Sequence, residues 1–225
     1  MKSYGKKIFT ICLTTILLCT NTFAALADNT KYADTLYSLG LFKGTDNGYE
    51  LEKTLTREES ATILVRLLGE ESNLKASNYT AVFNDVTKER WSFPYVMFCY
   101  KNEITKGTSS DTFSPSSAVN ARQFTALILR LMGYADIEPE NALEESVYKG
   151  IINTDTARRL KRTNLFTRDD MVYIVYRSLM CKTSDGRILA DILAEKGVVT
   201  EIEAAQFNVY ESTNNIDELL EKLLG

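Results

Sequence analysis

The sequence predicts an all-α fold built from three helix-loop-helix repeats, and three observations carry that prediction. Three segments, Leu55–Gly69, Val119–Gly133 and Phe166–Met180, align without gaps. A shorter apolar, helix-like stretch ending in a turn lies upstream of each, at Ala33–Gly44, Tyr95–Gly107 and Leu143–Thr154. The turn stands at a nearly constant distance from the next helix: 12 residues from Gly44 to Thr56, and 13 from Gly107 to Asn120 and from Thr154 to Thr167.

The chain begins with Lys2, Lys6 and Lys7, an apolar run from Ile8 to Cys19, and then Ala25-Leu26-Ala27. This order of charge, apolar run and small residues reads as a secretory signal peptide over residues 1–27, cleaved before Asp28. The run is shorter than the roughly 20 residues a membrane span takes, so no stable span is expected after cleavage; an uncleaved anchor is the alternative. Cys19 follows Leu17 and Leu18, where lipidation would require small residues.

Each long helix begins with an apolar residue and then Thr56, Asn120 or Thr167, whose side chains can accept from free N–H groups of the first turn. Glu59, Gln123 and Asp170, three residues on, complete capping boxes, Asp less well than Glu or Gln. Arg66, Arg130 and Arg177 share a column a little over two turns in, where the stems are expected to cover the bundle. Between the helices, Asp46-Asn47-Gly48 and Thr108-Ser109-Ser110-Asp111 are turn sequences, and Phe113-Ser114-Pro115 supplies an apolar plug. After residue 186 the pattern changes to shorter helices, suited to a packed cap on the last repeat. The expected organisation is 28–69, 80–134 and 140–182 for the repeats and 186–225 for a helical tail.

Composition excludes several function classes. The chain has no histidine, which removes Ser-His-Asp and Cys-His nucleophiles and the usual zinc sites; no cofactor or metal is expected. Cleavage would remove three lysines and no acid, leaving 23 basic against 30 acidic residues, a net charge of −7. That balance argues against nucleic acid as a partner. Of four cysteines, Cys99 and Cys181 would remain. Export permits a disulfide, and the apolar helical setting of both equally suits two buried thiols. Nothing in the pattern brings their Cβ atoms within the roughly 4 Å a disulfide needs. The acidic pairs Glu58-Glu59 and Asp169-Asp170 could suggest glycosidase chemistry, but both fall in first turns, where acids favourably meet the helix dipole.

The second repeat reads Phe83-Asn84-Asp85-Val86, Trp91, Glu103-Ile104-Thr105-Lys106-Gly107, Phe113-Ser114-Pro115, Val119 to Phe124 and Leu131-Met132-Gly133. In that order these elements resemble an S-layer homology module from end to end. The first and third repeats keep the family's Thr-Arg pair, as Thr56-Arg57 and Thr167-Arg168, without the Phe-x-Asp-Val opening or the Trp. The second has Ala121 where the motif arginine belongs, with Arg122 one residue late. The resemblance covers about residues 32 to 181 and implies a pseudo-three-fold assembly with ligand grooves between modules.

The ligand it implies is a secondary cell-wall polymer linked to peptidoglycan, often carrying pyruvylated sugars, with other envelope proteins as further partners. Arg57 and Arg168 are the expected ligand arginines, beside the positive ends of their helices and able to grip a carboxylate or phosphate with a planar fork. Arg122, Trp91, Asp85, Lys43 and Lys106 are further candidates, and Gly44 and Gly107 are read as turn glycines needing positive φ. Each has a plainer reading: a solvated charge or ion pair for the arginines and lysines, a turn residue for Asp85, a packed aromatic for Trp91. The function expected is a non-catalytic cell-envelope protein that is all anchor or displays only its tail. The alternative is a protein–protein scaffold whose worn modules no longer bind glycan.

Overall fold

The computed structural model describes residues 29–163 and 165–208; the expected signal peptide and the last part of the tail lie outside them. The helices are α1 (Thr30–Ser38), α2 (Arg57–Leu67), α3 (Phe93–Lys101), α4 (Ala121–Leu131), α5 (Ala142–Tyr148), α6 (Thr154–Arg162), α7 (Arg168–Ser178) and α8 (Leu189–Glu195). Residues 201–208 are helical as well. Among the described residues β-pairing is confined to isolated bridges, so the fold is all-α.

The capping boxes form at all three places. Thr56, Asn120 and Thr167 accept from the N–H of Glu59, Gln123 and Asp170, whose side chains return to the cap's own N–H at 2.7, 3.2 and 3.2 Å. The helices they start are the interior of the molecule. Ile63, Leu64, Val65 and Leu67 of α2, Phe124, Ile128 and Leu129 of α4, and Met171, Val172, Ile174 and Val175 of α7 are all buried. α2 and α7 are buried on most of their circumference, polar residues such as Ser60, Thr62, Asp170 and Ser178 included.

Packing runs in a cycle. The first helix of each repeat lies on the capped helix of the repeat before it: α3 on α2, α5 on α4, and α1 on α7, while α4 touches both α2 and α7. Loop backbone takes the same course. The Arg57 and Glu58 N–H groups donate to the carbonyls of Ser117 and Pro115 at 2.9 and 3.1 Å, and those of Arg168 and Asp169 donate to Lys53 and Leu51 at 2.8 and 2.9 Å. The free donors at the starts of α2 and α7 are therefore satisfied by a neighbouring repeat's loop.

The third repeat departs from the expected helix-loop-helix pattern. Its connection folds into α6, capped by Asn153, whose side chain accepts from the Thr156 N–H at 2.8 Å. Ala157 and Leu160, one turn apart, bury one face, and Arg158, Lys161 and Arg162 occupy the other. The tail also reaches further than the last repeat. Gly69 and Gly133 end α2 and α4 at φ +70° and +84°, and a Cβ there would meet Val198 Cγ2 at 2.3 Å and Ser184 Oγ at 2.4 Å. Lys196 Nζ donates to the Leu68 carbonyl at 2.8 Å, and the Ser184 N–H to that of Met132 at 2.9 Å. The tail thus covers the C-terminal ends of the first two capped helices. Cys99 and Cys181 are not bonded to each other, and full burial pushes the Cys99 thiol pKa up.

Candidate functional site

A cavity of about 190 Å³ opens where the cycle closes, between repeats one and three with repeat two at its rim. Phe42, Lys43 and Gly44 come from the first turn, Glu59 and Arg66 from the flank of α2, Arg168 from the first residue of α7, and Trp91 from the residues before α3. Four of the nine expected site residues, Arg168, Lys43, Gly44 and Trp91, meet here from three segments far apart in sequence.

Arg168 is the most constrained of them, with only 8% of its surface exposed. Its guanidinium lies over the Phe42 ring, 5.3 Å from the centroid. Nη2 reaches the Lys43 carbonyl at 3.4 Å, and Nη1 stands 3.7 Å from Glu59 Oε1. Nε is buried with no hydrogen-bond partner among the described residues. Its contacts to Lys43 and Glu59 are long, and one buried donor is left unpaired within the described residues, an arrangement that costs stability. Trp91 is 56% exposed rather than packed, its nearest ring being Tyr95 at 6.2 Å.

Lys43 is not a bare charge. Its Nζ lies 3.0 Å from Glu71, which also takes Arg66 at 3.0 Å and the Tyr95 hydroxyl at 3.1 Å. Burial pushes the Glu71 carboxyl up, but Arg66 and Lys43 outweigh it and hold its pKa at about 2. Lys106 repeats the device: Glu138 takes Lys106 at 2.7 Å and Arg130 at 3.2 Å. Arg130 also donates to the Ile137 carbonyl and Arg177 to that of Gly150, so the recurring arginines pin the segments around their helices. Gly44 has no positive φ, contrary to expectation. It is required by close approach, since a Cβ would stand 2.8 Å from the Gly48 carbonyl oxygen.

The junction of repeats one and two holds Arg57 in a similar pose. Its Nε donates to the Phe113 carbonyl at 2.7 Å and its guanidinium lies 4.6 Å from the Phe113 centroid. Asp85 is the clamp of this loop, accepting from the Phe113 and Ser114 N–H groups at 2.9 and 2.6 Å. Gly107, at φ +80°, lies where a Cβ would be 2.6 Å from Phe83.

Arg122 belongs to a different column from the motif arginines. It is the second residue of α4, matching Glu58 of α2 and Asp169 of α7. Those acids hold the residue that precedes the next repeat's first helix. Glu58 accepts from the Ser92 hydroxyl at 2.6 Å, and Asp169 from the Asn29 amide at 2.7 Å. In the second repeat the charge is inverted, and exposed Arg122 acts on Glu144 of α5. The motif position itself is Ala121, buried at 5%. The sequence did not single out Phe42, under Arg168 in the cavity, or Glu58, which holds the residues flanking Trp91. The matched acids Glu58 and Asp169 were a visible signal, absorbed by the simpler account of first-turn dipole stabilisation.

The family model of the S-layer homology domain matches residues 82–124, the stretch running from Phe83 through the Asp85 clamp, Trp91 and Gly107 into α4. That stretch is similar to an S-layer homology domain. The chain is 35% identical over 109 residues to the middle cell wall protein of Brevibacillus brevis, covering 48% of this chain and 10% of that protein. Its similarity to a cell surface protein of Thermoanaerobacter kivui spans all three repeats, 26% identical over 212 residues, 90% of this chain and 27% of that protein. An endoglucanase of a Bacillus species is 39% identical over 72 residues, 32% of this chain and 8% of the enzyme. The chain therefore spans about a tenth to a quarter of the first two relatives. The domain and these relatives support a place in the cell envelope. No helix among the described residues is long and apolar enough to cross a membrane.

Proposed function

We propose that this chain is an exported, non-catalytic protein that anchors at the cell wall by binding a wall glycan, at the cavity lined by Arg168, Lys43, Gly44 and Trp91. The observation that carries the reading is the convergence of a buried, under-bonded arginine and an open tryptophan on one cavity, next to a stretch similar to an S-layer homology domain. An acidic sugar, such as a pyruvylated one, would present its carboxylate to Arg168 and its ring face to Trp91. Glu59, beside Arg168, would accept from a sugar hydroxyl. The first two N–H donors of α7, the helix that brings Arg168 to the cavity, are spent on the Lys53 and Leu51 carbonyls, so recognition there rests on side chains.

The acidic pairs support the non-catalytic reading. Glu58 is committed to Arg90, Glu59 and Asp170 to their caps, and Asp169 to Asn29. The similarity to the endoglucanase covers 8% of that enzyme, too little to carry its chemistry here.

Co-sedimentation with native-host sacculi, before and after chemical removal of the wall polymer, tests the proposal. Wild type should pellet only with polymer present. A charge-assisted contact is worth about 1.5–3 kcal/mol, so Arg168→Ala should weaken binding roughly 10- to 150-fold. Arg57→Ala should weaken it if the second junction also binds, and Arg122→Ala should do least. A wild type that never pellets would leave the scaffold reading in its place.

A further inference from the structure

Trp91 is the chain's single tryptophan, more than half exposed at the cavity rim, and among the described residues no ring is stacked face to face on it. An aromatic left this open contributes more to binding if something fixes it beforehand, since ordering it on contact with ligand costs affinity. The fixing comes from its two chain neighbours, and both converge on one carboxylate. Glu58, only 7% exposed, accepts from Arg90 Nε and Nη2, each at 2.8 Å, and from the Ser92 hydroxyl at 2.6 Å. Arg90 Nη2 also donates to Ser116 Oγ at 2.7 Å, and Ser92 is itself fully buried. The side chains of the residues before and after Trp91 are therefore both tied to the second residue of α2, on the helix whose flank lines the same cavity.

We infer that Glu58 is a positioning residue that holds Trp91 over the cavity, making the ligand face of repeat two depend on a buried acid of repeat one. The inference rests on the wall-binding reading above. Comparison among the repeats sets this acid apart from a plain strut. Asp169 makes the matching contact to Asn29, and Arg122 stands in the same column in repeat two, but the residue before the helix cap of repeat three is Glu140, so no aromatic is presented there. The fork to Arg90, with a second bond to Ser92, occurs where there is a tryptophan to aim.

The test uses Glu58→Gln, which keeps the shape but replaces half of the acceptor with an amide donor facing Arg90. Trp91 fluorescence reports the site directly: anisotropy and acrylamide quenching for its mobility, native-host sacculus sedimentation for binding, and circular dichroism for fold. Leu143→Ala, in the core of α5, serves as the stability-matched control. Glu58→Gln should lower Trp91 anisotropy, raise its quenching and weaken sacculus binding about tenfold. Glu58→Asp, which restores the charge one methylene short, should recover part of both signals. Leu143→Ala, at a similar loss of melting temperature, should change neither. Unchanged Trp91 signals in Glu58→Gln, or equal loss of binding in Leu143→Ala, would overturn the inference alone. Failure of wild type to pellet would overturn the wall-binding reading and this inference with it.

Discussion

Glu71 collects Lys43, Arg66 and the Tyr95 hydroxyl at the outer edge of the cavity, and its charge is tied to stability. Its folded pKa of about 2 lies below the ordinary 4.5. A depressed carboxyl stabilises the fold fully above its unfolded value, and the contribution is lost as pH falls towards the folded one. The window is therefore about pH 5 down to pH 2. With partial exposure screening the pair, the contribution is roughly 1–2 kcal/mol. Urea midpoints of wild type should fall between pH 5 and pH 2, and Glu71→Gln should be weaker at pH 7 and show a shallower fall. Gly107 makes a second residue-scale prediction. A side chain there meets both a left-handed φ and a clash with Phe83, so Gly107→Ala should cost about 1–3 kcal/mol in denaturation. Gly44→Ala should destabilise through the Gly48 carbonyl alone, without the φ term.

Among the elements, the capped helices carry the interior, and their starts are where local sequence and global packing coincide. Thr56→Ala and Asn120→Ala should each cost about 1 kcal/mol by chemical denaturation, the usual worth of a hydroxyl or amide cap. These caps were legible because a capping box needs only four consecutive residues and no partner from elsewhere. α6 was not, although Ala157 and Leu160 have helical spacing. The regular distance from turn to capped helix made the segment look like the loops at the same place in the other repeats. Its buried face exists only because α5 and α4 are there to receive it. Without them a nine-residue helix is too short to persist.

Across the whole molecule, the three repeats and the tail share one continuous buried core that runs from Ala33 to Phe207. Urea unfolding followed by far-ultraviolet dichroism and by Trp91 emission should therefore give coincident single transitions. A chain ended after residue 134 should lose this cooperativity, because α1 and α4 would lose α7, and α4 would lose α5. It should lose sacculus binding as well, since the cavity takes Arg168 from the third repeat. Ending the chain after residue 183 should expose the ends of α2 and α4 under Ser184, Lys196 and Val198, and lower the denaturation midpoint.

By itself the sequence determined the all-α class, the three capped helices with their capping boxes, and the likeness of its second unit to an S-layer homology domain, because each of these is written in residues close together along the chain. It also named Arg168, Trp91, Lys43 and Gly44 as candidates, from motif positions alone. Only the tertiary structure decided that these four share one cavity while Arg57, Asp85 and Gly107 serve a different junction, since that depends on which repeat follows which around the cycle. It also decided that Trp91 is open and that Lys43 and Lys106 are paired with Glu71 and Glu138. A side chain's burial and partners are set by segments up to 140 residues away, as between Asn29 and Asp169, and no local pattern encodes that distance.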